Sequence, residues 1–351
     1  MKTITSKNRT ILFVICMVLV TVVIMEASSR FFWKGMFGIP FFHMNEIIYI
    51  YYPNLKAVHK RDIPKDENTF NILLLGGSVI ASGWSEIEDL LKKELVNKTG
   101  KKINIYNVSL QALTSLDSFY KYKYLENKSF NLVIFYHGIN ETRANNCPPS
   151  IFKENYSHYS FYRIINSYER NRSILTFFSL PFTINYITIK LGYRLGVYKF
   201  VPRDVPRDSW LECGASVKTK DSFEKNVTGI IKLSESRRQK LLLMSFAYYM
   251  PEDYTLEKFL KKQLDYNMHV CRIEDWGLPQ NVVSGMEAHN KVIRQLTNQN
   301  VNVCYVDQHN LIPKNGKVFE DICHFTPKGA GIFVDNITTL IKCEIENSTL
   351  F

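Results

Sequence analysis

The chain contains no Cys-x-x-Cys pair and no zinc-finger or P-loop spacing. Those absences argue against a structural zinc site and leave nucleic-acid binding without a motif. A Gly-x-Ser-x-Gly elbow is also missing: in Gly76-Gly77-Ser78-Val79-Ile80 an isoleucine takes the place of the last glycine. No block of one charge sign stands out. The 44 Lys and Arg against 33 Asp and Glu give a net charge of +11, but the basic residues are scattered and often sit beside acidic ones. That pattern describes a solvated surface. It suits surroundings that tolerate cations, such as anionic headgroups or acidic glycans, better than a nucleic-acid partner. At 351 residues, 13% aromatic and 22% charged, the chain is globular and can bury one large core, or one core plus an insertion.

What is present begins with an apolar run at residues 11–25, preceded by Lys2, Lys7 and Arg9. The basic leader places the N-terminus inside, and the run reads as a signal-anchor within residues 1–30. The alternative is a cleaved signal peptide ending near Glu26-Ala27-Ser28-Ser29. Either reading exports everything after residue 30, which predicts a single-pass membrane protein with an extracytoplasmic domain. Six of the seven cysteines (Cys147, Cys213, Cys271, Cys304, Cys323, Cys343) then lie outside, where disulfides are permitted and their pairing stays open.

Residues 31–68 read as a membrane-proximal stalk. From there apolar strands alternate with helices. Residues 71–75, 103–107, 131–136, 241–247 and 301–306 are strand-like. Trp84, Ile87, Leu90, Leu91 and Leu95 repeat at helical spacing, as do Phe223, Val227, Ile230 and Ile231, and Met286, His289, Val292, Ile293 and Leu296. Thr326-Pro327 opens a last helix, with threonine as cap and proline in the first turn. Strands apolar throughout, separated by helices, predict an α/β fold with a parallel sheet covered on both faces. Residues 145–218, rich in Tyr, Phe, Arg and Pro, interrupt the rhythm. They are expected as an insertion at the carboxyl edge of the sheet, either a lid or a helical pair, within a domain spanning 69–345.

Three segments carry chemistry. Ser78 follows a strand and two glycines, with a helix expected after it to favour an oxyanion. Tyr136-His137-Gly138-Ile139-Asn140 places a neutral amide just past a strand end. Asp321-Ile322-Cys323-His324 supplies a carboxylate and an imidazole three positions apart. A serine, a base and a carboxylate that orients the base are what nucleophilic acyl transfer needs. His137, one residue past an apolar strand, reads as a packed histidine and ranks below His324. A Cys304–Cys323 bridge would pin the histidine loop.

Taken together, and in this order, the segments resemble the SGNH (GDSL-type) hydrolase family over roughly residues 69–343. The resemblance implies a flavodoxin-like three-layer α/β/α sandwich. It implies Ser78 as nucleophile, His324 as general base, Asp321 as its orienting carboxylate, and Ser78, Ser109 and Asn140 as oxyanion donors, with no metal and no cofactor. Glu141 follows Asn140 where aspartate is more usual. In the middle block, Asn107 to Ser115, Ser109 and Ala112 replace glycines. The expected activity is a serine esterase acting on, or transferring, short acyl groups, above all O-acetyl esters of extracytoplasmic glycans. A lipid esterase and a catalytically impaired glycan-binding or envelope scaffold are the alternatives.

Overall fold

The computed structural model describes residues 6–64, 66, 68–198 and 206–347. Lys2 of the leader and residues 199–205 of the expected insertion lie outside them. The chain divides into two compact units, Met1–Pro53 with Ser157–Phe200, and Asn54–Tyr156 with Val201–Phe351.

The larger unit is built on five parallel strands: β1 (Thr69–Gly76), β2 (Lys102–Asn107), β3 (Leu132–Tyr136), β4 (Lys240–Met244) and β5 (Val303–Val306). Their order is β2-β1-β3-β4-β5, the flavodoxin-like doubly wound arrangement. Side chains alternate across the sheet. Ile72, Leu74, Ile134, Leu242 and Met244 pack with Leu91, Leu95, Ile337 and Ile341, from the paired helices Ile87–Thr99 and Pro327–Asn347. Leu73, Leu75, Val133, Phe135, Leu241 and Leu243 are just as buried and form the rows of opposite parity. Ser115–Tyr124, Thr219–Ser236 and Pro279–Gln299 pack together as the second helical layer. Each of these Leu, Ile and Phe side chains contributes about 1.5–3 kcal/mol by leaving water, which explains why the central strands are apolar over residues 72–75, 132–136 and 241–244.

Four elements depart from the sequence reading. The strand expected over 241–247 ends at Met244, and residues 245–247 continue it only as loop. The last strand starts at Val303 because Val303 N–H closes a turn onto Asn300 O and Val301 is fully exposed. The helix after β1 starts at Ile87. Trp84 lies before it, just past Gly83 with its φ of 86°, and is 46% exposed. Helix Ser115–Tyr124, absent from the periodicity, is opened by a reciprocal capping box between Thr114 and Asp117.

The smaller unit is helical. Its first helix, Ser6–Phe37, is long and apolar enough to cross a membrane. Ile11, Leu12, Phe13 and most apolar side chains as far as Met25 are exposed. From Glu26 onward the same helix is packed. The Glu26 carboxylate accepts hydrogen bonds from Ser179 N and Leu180 N, both 2.9 Å, and so caps helix Leu180–Arg194. Arg30 pairs with Glu26 at 2.6 Å and donates to Phe41 O and Phe177 O. Trp33 donates to Thr183 and stacks on Phe182. Residues 31–53 are therefore folded within this unit, as is most of the segment expected as an insertion. If the Glu26 cap orders the second helix, Glu26→Ala lowers stability by about 1–2 kcal/mol; a thermal melt in detergent that does not shift would refute this.

Candidate active site

The sheet order makes the site. From β1 the chain crosses to β2 on one side and later to β3 on the other, so a crevice opens at the carboxyl ends of β1 and β3. Their register pairs Gly76 with Tyr136. Ser78 and the His137–Asn140 segment therefore emerge side by side.

The two glycines are there for space. A Cβ on Gly76 would lie 2.5 Å from the Ile80 side chain and 3.0 Å from Tyr136 O. A Cβ on Gly77 would lie 2.9 Å from Asn140 Nδ2. Gly77 thus lets the Asn140 amide come up against the backbone that carries Ser78. The expected helix does not follow Ser78. A single 3-10 turn, Ser78–Ile80, stands there, too short for a useful macrodipole, so stabilisation of an anion falls to individual donors.

The structure joins the three residues of the acyl-transfer reading in one hydrogen-bonded line. Ser78 Oγ is 2.9 Å from His324 Nε2, and His324 Nδ1 is 2.7 Å from Asp321 Oδ2. Asp321 is wholly buried, while Ser78 and His324 keep 7% and 5% exposure. Asp321 Oδ1 accepts from Cys323 N and His324 N, and Oδ2 also accepts from Cys271 N. Burial pushes this carboxyl up, but the His324 imidazole and the backbone N–H groups of Cys323 and His324 outweigh it and hold it below the usual aspartate value. Burial pushes His324 down, and the Cys323 sulfur and Asp321 carboxylate more than reverse that, so the imidazole stands well above its ordinary value. Asp321 is the operative charge, because burial pushes the Cys323 thiol up to about 12 and leaves it neutral at neutral pH. Thr326 caps the following helix through Gly329 N–H, as its position before Pro327 predicts.

Asn140 is held at both ends. Its Oδ1 accepts from Trp276 Nε1 at 3.0 Å and its Nδ2 donates to Leu113 O at 2.8 Å. An indole N–H can only donate, so Trp276 fixes which end of the amide is oxygen and turns Nδ2 toward Gly77. Arg143 covers the Trp276 ring at 5.4 Å. Gly77, Ser78, Gly138, Asn140 and Phe246 line a pocket of about 10 Å³, room for little more than one water. Trp84 lies over His324 with ring centroids 5.3 Å apart and planes 31° from parallel.

The Ser109 N–H, expected as an oxyanion donor, is engaged within its own block. It donates to Asn107 Oδ1 at 2.9 Å, and the Ser109 carbonyl accepts from Asn54 Nδ2. Among the described residues the left-handed backbone of this block falls on Ala112, at φ 57°, and not on Ser109. His137 faces Ser118, 2.7 Å from Nε2, and burial keeps it well below its ordinary value. It is the packed histidine the sequence suggests. Cys304 and Cys323 are both free, with Cys304 Sγ near Glu344 and Cys323 Sγ near His324, so the expected bridge is not formed. Trp276, Trp84 and the Cys271 N–H were not found from sequence. Trp276 and Cys271 lie far from their partners along the chain, and Trp84, six positions after Ser78, reads from its spacing as a helical core position.

Because an L-residue in the left-handed region carries about 1 kcal/mol of strain, Ala112→Gly is expected to raise stability by a few tenths to about 1 kcal/mol in denaturant unfolding. A loss of stability would mean that the Ala112 methyl packs more than its backbone strains.

No family model matches this chain, and no curated protein does. Among solved structures it is similar to a lipase/acylhydrolase from Enterococcus faecalis, at 13% identity over 78% of this chain and 96% of that one, with a TM-score of 0.43. An acetyl xylan esterase, AlAXEase, is similar at 14% identity over 78% and 100% of the two chains, TM-score 0.42. A GDSL-like lipase from Bacteroides thetaiotaomicron is similar at 14% identity over 87% and 98%, TM-score 0.40. The chemistry of this site follows from its own residues.

Proposed function

We propose that this protein is a membrane-tethered serine esterase that removes short acyl groups, above all O-acetyl, from extracytoplasmic glycans. The observation that carries this is the unbroken line from Ser78 Oγ through His324 to a buried Asp321, beside an amide held in one orientation. In the reaction Ser78 attacks the ester carbonyl while His324 Nε2 takes its proton. Asp321 keeps the Nδ1 proton in place and stabilises the imidazolium. The tetrahedral oxyanion is met by Ser78 N–H and Asn140 Nδ2. Ser109 N–H joins them only by leaving Asn107. His324 then protonates the departing alkoxide, and water repeats the cycle on the acyl-enzyme. The pocket beside Ser78 leaves no room for a long acyl chain. The exposed Trp84 over His324 offers a flat apolar face on the leaving-group side, where a sugar ring can stack.

A second reading, a binding module without turnover, draws on one observation: the engaged Ser109 N–H. Hydrolysis of p-nitrophenyl acetate by the full chain in detergent separates the two. Turnover that falls by about 10³-fold or more in Ser78→Ala supports the esterase. A folded protein with no turnover, unlabelled by a fluorophosphonate, supports the binding module.

The pH profile follows from the site. His324 acts as base only when neutral, and its partners raise it above its ordinary 6.5. The value of kcat/KM is therefore expected to climb with pH, with a midpoint above 6.5, and to level off beyond it. Asp321→Asn should move the midpoint down and lower kcat by about 10⁴-fold. A midpoint at or below 6.5 in the parent protein would contradict this. Trp276→Phe, which deletes the orienting N–H, is expected to cost about tenfold in kcat with little change in KM. It should cost nothing further in an Asn140→Ala background; additive losses would exclude this role.

The anchored reading gains from the smaller unit. Cleavage near Glu26–Ser29 would remove the carboxylate that caps helix Leu180–Arg194, together with the buried Ser29. We therefore expect the mature protein to keep residue 11 onward and to float with liposomes in a density gradient. An N-terminal sequence beginning near residue 30 would overturn the anchor.

A further inference from the structure

We propose that Cys271, Asp321 and His324 form a binding site for a thiophilic divalent cation of the Zn²⁺ or Cd²⁺ class, on the side of the imidazole away from Ser78. One ligand atom from each residue, including Cys271 Sγ, lies within 4.8 Å of the others. His324 Nδ1 and Asp321 Oδ2 are 2.7 Å apart, and a second thiol, Cys323 Sγ, is 3.7 Å from Nδ1. Around a tetrahedral zinc with bonds of about 2.0–2.3 Å, ligand atoms stand roughly 3.3–3.8 Å apart. The nitrogen and oxygen must open by about half an ångström or more and the sulfur must close by up to about 1 Å. Cys271 is half-buried and can close on the ion, while the enclosed Nδ1–Oδ2 pair opens by giving up the hydrogen bond that holds it at 2.7 Å.

The donor chemistry selects the ion. One carboxylate oxygen, one imidazole nitrogen and one or two sulfurs make a borderline-soft set. That set suits Zn²⁺ and Cd²⁺ and disfavours Mg²⁺ and Ca²⁺. The outer contacts are also in place. Backbone N–H groups of Cys271, Cys323 and His324 already orient the carboxylate, as partners behind a metal-ligating carboxylate do. The cation takes the place of the proton between Nδ1 and Oδ2, and that proton and the Cys271 thiol proton leave to solvent. The consequence for activity rests on the esterase reading: with a dication on Nδ1, Nε2 is a poor base and Ser78 is not activated, so the ion inhibits.

The test uses the full chain in detergent under reducing conditions, titrated with Cd²⁺ alone. Two readouts that need no activity are followed: the ultraviolet cadmium–thiolate charge-transfer band, and alkylation of Cys271 by iodoacetamide, measured by peptide mass spectrometry. One strong site is expected, with Cys271 protected as it fills. Losing an outer partner of a metal site weakens binding about 10–100-fold, so Cys271→Ser, removing a ligand, should weaken it by at least about tenfold. Cys343→Ser, at an exposed cysteine, should leave it unchanged. Undiminished affinity in Cys271→Ser, or unchanged alkylation of Cys271 at saturating Cd²⁺ in the parent protein, would overturn the site. Binding with these signatures in a protein that hydrolyses no ester supports the site and overturns only the esterase reading. Where esterase activity is present, Zn²⁺ should inhibit it in the parent and at least about tenfold less effectively in Cys271→Ser.

Discussion

A carboxylate with no exposed surface has to be satisfied by the chain around it, and Asp321 sets that requirement for this site. Its two oxygens receive four donors, three from the backbone and one from the imidazole, which fills the acceptor capacity of a carboxylate. Removing such a charge from water costs several kcal/mol, so each donor is needed, and each fixes a piece of chain. Two of them set the turn at 321–324. The third ties in residue 271, whose segment is strung along 319–320 by Asn267 N to Phe319 O and His269 N to Glu320 O, with His269 at φ 62°. The Phe319–Phe325 bridge and the Thr326 cap close the loop from its other side. The position of His324 is thus a by-product of satisfying its neighbour.

A polar layer lies beneath the serine side. Glu141 is fully buried, pushed up to about 7 by burial against the pull of Ser115, whose N–H it accepts. Lys121, equally buried, is pushed down to about 7 by burial and donates to Val108 O. Groups of opposite sign brought this close to neutral pH carry less charge than their types suggest, which lowers the penalty of enclosing them. Their bonds link the strand-end block, the middle block and helix Ser115–Tyr124. Glutamate at position 141 therefore has a structural task, reaching the first N–H of that helix.

The central strands and most helices of the outer layers were legible because they obey one rule each: strand segments buried on both faces are mainly apolar, and helices repeat at 3.6; Ser115–Tyr124 shows no such repeat. Ser78, Asn140, Asp321 and His324 were legible through strand-end glycines and a short Asp-x-x-His spacing. What stayed hidden depends on distant partners. Trp276 reaches Asn140 across 136 positions, and Cys271 reaches Asp321 across 50. Trp84 matched a helical period by accident, and Gly83 with its positive φ ends that match before the helix begins. The partners of the stalk were not legible because Trp33 answers to Phe182 and Thr183, more than a hundred positions away.

The missing helix after Ser78 changes how the site has to work. A helix N-terminus offers a diffuse positive end that tolerates small errors of placement. A single 3-10 turn offers individual N–H groups, which act only over hydrogen-bonding distance and in the right direction. Precision must then come from packing. Gly77 brings the Asn140 amide in, Trp276 turns it, and Arg143 covers the tryptophan. In this site the directed contacts stand in for a helix end, which is why the tolerance for a Cβ at position 77 is so small.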